Sequence, residues 1–160
     1  QMLFNQAKIT TATRKVTTVA KKRREETGMP CAAIELADGT MITSSSSELL
    51  GPSAALLLNA TKYLAGIDHK VKLIPQEMIE PIQKTKVEYL GGNNPRLHTD
   101  EVLVALSVLS QVDDNCRKAL EQLPMLRGCQ IHSTVMLSEV DHKIFKKLGV
   151  GLTCDPIKKK

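Results

Sequence analysis

At 160 residues and 42% apolar content, the chain holds enough material for the core of one domain, so disorder over most of its length is excluded. Its longest apolar runs, around Ala54 to Leu58 and Val102 to Leu106, fall far short of the roughly 18 residues a membrane-spanning helix needs. A net charge of +5 invites a nucleic-acid partner, but seven of the 22 basic residues lie before Gly28 and three more form Lys158 to Lys160, leaving the body acidic.

The expected partner is therefore not nucleic acid. The terminal charges read as a solvated helix face and tail, and with no Trp, two Tyr and two Phe there is no platform on which bases would stack. Gln1-Met-Leu-Phe-Asn-Gln6 lacks an initiator at position 1 and the layout of a signal peptide, so a fragment of a longer cytoplasmic protein is expected. Cys31, Cys116, Cys129 and Cys154 are scattered, without a Cys-x-x-Cys pair or a histidine at ligand spacing. They read as reduced buried thiols, and no metal is expected.

In chain order, Thr13 to Thr27 reads as a helix closed by Gly28 and stopped by Pro30. Cys31 to Leu36 and Thr40 to Thr43 read as a hairpin, because Asp38-Gly39 supplies the backbone a tight reversal requires. Ser44 to Ser47 read as a loop. A helix follows from Pro52, whose fixed φ suits a first turn, to Ala65, with Gly66 beyond it; apolar nearly all round, it should be buried. Lys70 to Ile74 alternates like a strand, and a helical stretch from Pro75 to Leu90 should be broken or restarted at Pro81. Thr99 should cap a second buried helix around Val102 to Leu109. Asp113-Asp114 restarts helix to Leu123. Then Cys129 to Met136 reads as a strand, Ser138 to Leu148 as an amphipathic helix capped by Gly149, and Val150 to Cys154 as a parallel strand after a right-handed crossover.

These elements sum to an α/β fold: a three-layer α/β/α sandwich with a mixed sheet of about five strands, preceded by a helix. Residues 1–28 form the N-terminal helical segment, 29–157 the domain and 158–160 a basic tail. The element order is similar to the cytidine-deaminase-like arrangement. That chemistry holds zinc with a His or Cys two residues before a Glu at one helix start and Pro-Cys-x-x-Cys at another. Here the first helix start reads Leu50-Gly-Pro-Ser-Ala-Ala55, and Pro30-Cys31 is followed by Ala32-Ala33-Ile34. The layout is expected without the zinc site.

A helix start is also a natural anion site, since its free N–H groups and dipole favour phosphate. The start at Thr99 is a poor one because Asp100 and Glu101 already occupy its first turn; the start at Pro52 is better, with Ser53 and the Ser44 to Ser47 run nearby. Among the histidines, His132 sits in a strand, and only His98 stands beside an arginine, Arg96, and an acid, Asp100. Within Tyr89 to Leu103, Leu90-Gly91-Gly92 has helix-ending chemistry and Thr99-Asp100-Glu101 helix-starting chemistry, which leaves the short rigid segment Asn94-Pro-Arg-Leu-His98, in which Arg96 and His98 have no capping reason to be there. No Ser-His-Asp, Cys-His or paired-carboxylate pattern assembles.

Several stretches together resemble one family: Ala33-Ile-Glu-Leu36, Leu49-Leu-Gly-x-Ser-Ala-Ala-Leu-Leu-Leu-Asn-Ala60, Glu80-Pro-Ile-Gln-Lys84, Asn94-Pro-Arg-Leu-His-Thr-Asp-Glu-Val-Leu103, Ala119-Leu-Glu-Gln-Leu-Pro124 and His132-Ser-Thr134. The chain is similar, from about Lys8 to Pro156, to the C-terminal part of the bacterial family called domain of unknown function 1846, or uncharacterised protein family 0371. The resemblance implies a longer parent whose N-terminal portion carries a Gly-Ser-Gly-Lys stretch, and hence a nucleotide or phosphate in the full-length protein. It implies no activity for this piece.

Two functional expectations follow. In the first the chain is a structural and assembly domain, partnered by the N-terminal domain of its parent and by further copies of itself in a homo-oligomer, because two all-apolar helices exceed what it can bury alone. In the second, Asn94, Arg96 and His98, with Ser53 and His132, complete a phosphate or nucleotide site shared with that N-terminal domain.

Overall fold

The computed structural model of the chain describes residues 2–156, with side chains described for residues 15–156. The expected tail, residues 158–160, lies outside the described residues, as do the side chains of Lys8 and Arg14 in the basic segment.

The elements are helix α1 (Met2–Thr27), strands β1 (Cys31–Glu35) and β2 (Met41–Ser45), helices α2 (Pro52–Leu64), α3 (Gln76–Lys84), α4 (Thr99–Leu109) and α5 (Asp114–Leu120), strand β3 (Gln130–Ser133), helix α6 (Glu139–Leu148) and strand β4 (Gly151–Cys154). The sheet is mixed and ordered β2-β1-β3-β4: β1 is antiparallel to both neighbours, and β4 runs parallel to β3. Helix α1 starts earlier than the expected Thr13, since Met2 to Ala12 contains neither Pro nor Gly to stop it.

The hairpin turns where the sequence placed it. Gly39 adopts φ +86°, a conformation open to glycine at little cost, and Asp38 Oδ1 accepts the Thr40 amide at 2.9 Å. Strand β2 runs two residues further than expected. Ser44 and Ser45 pair with Ala32 and Cys31, and the buried Ser44 hydroxyl donates to the Pro52 carbonyl at 2.6 Å, so a polar residue there carries no unmet bond.

Alternation along the strands assigns the two sheet faces. Ile34, Ile42, Ile131 and Leu152 stand opposite one another across the ladders and join the main core, which α2 fills with Leu56, Leu57 and Leu58. Each such leucine stabilises the fold by about 1.5–3 kcal/mol through burial. The other face carries Ala33 and His132 and receives α1, whose Val16 and Ala20 are completely buried. Arg24 fastens the end of α1 by donating to the Thr134 carbonyl at 3.1 Å, while the Thr134 hydroxyl accepts the Cys31 amide.

Three expectations need correction. Lys70 to Ile74 is no strand, which leaves four strands where about five were expected. Its neighbours Leu73 and Ile74 are both buried, which defeats alternation, and two of its carbonyls serve side chains: Val71 O accepts from Lys62 Nζ, and Leu73 O from the Cys116 thiol. Pro81 does not break α3, which passes through it into a π-helical turn, Thr85–Tyr89. Helix α4 is buried on one side only: Val102 and Leu106 are in the core, while Val104 and Val108 are 65% and 67% exposed.

Candidate functional site

Three helices begin at the same end of the sheet, where β2 and β3 finish. Helix α6 follows a Ser138 N-cap whose hydroxyl accepts the Asp141 amide at 3.2 Å. That places Asp141 in the first turn of α6 with its side chain fully buried. Its Oδ1 accepts both the Thr99 amide at 3.0 Å and the Thr99 hydroxyl at 2.6 Å, and its Oδ2 accepts the Ser53 hydroxyl at 2.9 Å. Thr99 opens α4 and Ser53 lies in the first turn of α2. One carboxylate thus sits among the positive ends of three helix dipoles and takes up donors from two of them. The Pro52 helix start, which the sequence offered to an external phosphate, already faces an internal anion, and the Ser53 hydroxyl is engaged by it.

The segment Asn94-Pro-Arg-Leu-His98 is laced to its surroundings. Asn94 Oδ1 accepts the Arg96 amide at 3.0 Å in a local turn. Leu97, fully buried, forms a parallel bridge with Leu50: its amide donates to Leu49 O at 3.0 Å, and its carbonyl accepts from the Gly51 amide at 3.2 Å. Arg96 Nε donates to Ser47 O at 2.6 Å, and the Arg96 carbonyl accepts from Lys86 Nζ at 2.6 Å. Lys86, on the π-helical turn, also donates to Glu101 Oε1 at 2.8 Å.

Glu101 is the other hub. The same Oε1 accepts the His98 amide at 2.7 Å, one half of a capping box in which His98, and not the expected Thr99, is the N-cap of α4, so His98 does have a capping reason to be there. Burial by itself would raise the Glu101 pKa, but the bonds from His98 and the Lys86 ammonium outweigh it and hold the carboxyl at about 2. His98 Nδ1 lies 3.4 Å from the same oxygen. Gly92 belongs to this network by necessity: a Cβ there would stand 2.9 Å from the Lys86 carbonyl, to which the Gly92 amide donates at 2.8 Å. What remains open is the guanidinium end of Arg96, whose Nη groups have no protein partner among the described residues.

His132 stands apart from these residues, on the sheet face that receives α1. It is buried, with Nδ1 2.7 Å from Thr153 Oγ1 and Nε2 3.1 Å from Asp155 Oδ1; Lys21 Nζ is 4.0 Å from the same carboxylate oxygen. Burial lowers its pKa below the ordinary 6.5, against the pull of Asp155, which raises it. The five residues picked from the sequence are thus distributed over three local networks: Ser53 with Asp141 and Thr99, Asn94 with Arg96 and His98, and His132 with Thr153 and Asp155.

Asp141 is the residue that sequence reasoning missed. Its local signal is present, since Ser138-Glu-Val-Asp141 has the spacing of a helix-capping pair. Its partners, 42 and 88 residues away, leave no trace in that spacing.

Among the described residues no three His, Cys, Asp or Glu side chains gather as metal ligands. The four cysteines are unpaired, and burial raises the Cys116 thiol to about 11, far from a reactive thiolate. No helix among the described residues is long and apolar enough to cross a membrane.

One feature open to solvent is apolar. A groove of about 440 Å³ runs between α3 and α4, floored by Met78, Ile82, Val104, Ala105, Val108 and Leu109, with Asp100 and Glu101 at one end.

The chain is 53% identical over 156 residues to a UPF0371 protein of Corynebacterium aurimucosum, covering 98% of the chain and 31% of that relative. It is 52% identical to the UPF0371 protein DIP2346 of Corynebacterium diphtheriae, covering 97% and 31%, and 44% identical to a UPF0371 protein of Streptococcus pneumoniae strain Hungary19A-6, covering 98% and 32%. It therefore spans less than a third of the length of these relatives. The family model described as "Domain of unknown function DUF1846, C-terminal" matches residues 12–160, and the chain belongs to that family as the C-terminal part of a larger protein.

Proposed function

We propose that this chain is a structural and assembly domain, holding the C-terminal end of a cytoplasmic protein in the shape its N-terminal domain and further copies of the chain pack against. In this reading the α1 face, the mixed sheet and the helices of the main core make a three-layer sandwich with a deaminase-like layout. Residues 1–28 are its lead-in helix and 29–157 the domain proper. The observation that carries the proposal is the buried Asp141 carboxylate. At the end of the sheet where an α/β protein of this kind places its ligand, three helix starts are closed on one another by an internal anion. A donor set already satisfied serves rigidity, and a second anion brought beside it would be repelled.

The test uses the full-length protein. Arg96→Ala and His98→Ala are expected to lower the unfolding midpoint, through loss of the Ser47 contact and of packing around Glu101, and to leave nucleotide and phosphate affinity unchanged. Loss of affinity with unchanged stability would refute the proposal.

One observation favours a second reading. The Nη groups of Arg96, without a partner among the described residues, lie in the same short segment as Asn94 and the half-buried His98, and a phosphate of a nucleotide held by the N-terminal domain would satisfy the guanidinium. There Asn94, Arg96 and His98 contribute to a shared site; Ser53 and His132, each tied into its own network, add support from behind.

A further inference from the structure

The groove between α3 and α4 has the form of a helix-binding slot. Val104 and Val108 stand one turn apart on α4, as Met78 and Ile82 do on α3, so two apolar stripes run side by side. Val104, Val108 and Met78 are 65%, 67% and 49% exposed, a costly arrangement for a face that stays in water. No lining side chain is a hydrogen-bond donor, so nothing in the groove would hold a phosphate or other anion. Of the two carboxylates at its end, Glu101 is tied to Lys86 and His98, whereas Asp100 has no partner among the described residues. The slot therefore presents apolar floor and one free negative charge.

Resting on the assembly reading above, we propose that this groove receives an amphipathic helix from the N-terminal region of the same polypeptide, seated by apolar side chains on Val104 and Val108 and by a Lys or Arg at Asp100. The length of the relatives identifies the occupant. In Corynebacterium and Streptococcus alike this segment makes up 31% and 32% of the protein, so most of the chain lies outside it. A tethered region faces the groove at an effective concentration on the order of millimolar, well above what a separate partner or a second copy reaches in a cell. A helix laid into an apolar groove by residues at i, i+3, i+4 and i+7 matches the two stripes.

The experiment places a specific protease site ahead of α1 in the full-length protein and follows the two pieces after cleavage by size-exclusion chromatography and equilibrium titration. The wild-type pieces remain together. Val104→Asp with Val108→Asp weakens their association roughly 100-fold or more, and Asp100→Lys weakens it roughly tenfold. Because Val104 and Val108 are exposed in the domain itself, its own thermal unfolding is unchanged by the valine pair; the milder Val104→Ser with Val108→Ser serves if the aspartates perturb the fold. Wild-type and variant pieces that stay together equally overturn the groove assignment and leave the assembly reading standing. Wild-type pieces that separate at once overturn the assembly reading itself. C-terminal pieces that dimerise through the same valines overturn the intrachain occupant in favour of a second copy.

Discussion

Replacing Asp141 by Ala removes the acceptor for three donors at once: the Ser53 hydroxyl, the Thr99 hydroxyl and the Thr99 amide. All three lie where Ser53, Thr99 and Asp141 are fully buried, so water does not readily replace the lost partner. An unsatisfied buried donor costs about 1–3 kcal/mol, and relaxation around the truncated side chain recovers part of it, so Asp141→Ala is expected to cost about 3–6 kcal/mol. That is a large share of the roughly 5–15 kcal/mol by which a domain is stable. Asp141→Asn keeps the shape but turns one acceptor into a donor and removes the charge from three helix starts, for a cost of about 1–3 kcal/mol. Urea unfolding of the chain followed by circular dichroism measures both. Ser53→Ala should be less harmful in the Asp141→Asn background than in wild type, because contacting residues couple. If both Asp141 variants unfold within about 0.5 kcal/mol of wild type, the carboxylate does not hold the helix starts and the reasoning fails.

Glu101 titrates near 2 in the fold against a usual 4.5, so its ionised form stabilises the native state at neutral pH and that contribution disappears as pH falls from about 4.5 toward 2. The stability gap between wild type and Glu101→Gln, measured by urea unfolding at a series of pH values, should narrow over that window; a constant gap would contradict the assignment. His132 has a lowered pKa, so the unfolded chain takes up its proton first: stability attributable to His132 is complete above about 6.5 and falls as pH drops through the lower native value. Its imidazole resonance should titrate below 6.5, and a midpoint above that would show Asp155 to dominate burial. Gly149→Ala should cost about 1–2 kcal/mol in thermal unfolding, since Gly149 has φ +80° and a Cβ there would come within 2.8 Å of Arg127 Nη1.

The sequence exposes those features whose causes are local. Asp38-Gly39 fixes the hairpin, and Ser138 and Gly149 bound α6, because turn and cap chemistry acts over a few residues. Gly91 and Gly92 were legible as a helix ending, and the close approach of Gly92 to the Lys86 carbonyl gives the second glycine its own reason. Lys70 to Ile74 failed because alternation is a weak signal over five residues and its carbonyls are claimed by Lys62 and Cys116 from elsewhere in the chain. The α4 pattern was apolar enough to read as fully buried, but composition does not say what covers the second side, and among the described residues Val104 and Val108 remain open. The helix-start cluster was the least legible, since Ser53, Thr99 and Asp141 are joined only by the fold.

A structure of the full-length protein soaked with nucleotide and inorganic phosphate tests most directly whether this domain is a scaffold. Phosphate density confined to the N-terminal region, with Asp141 still bonded to Ser53 and Thr99, is the expected result. Phosphate bound to Arg96 and His98 would contradict it and establish the shared site instead.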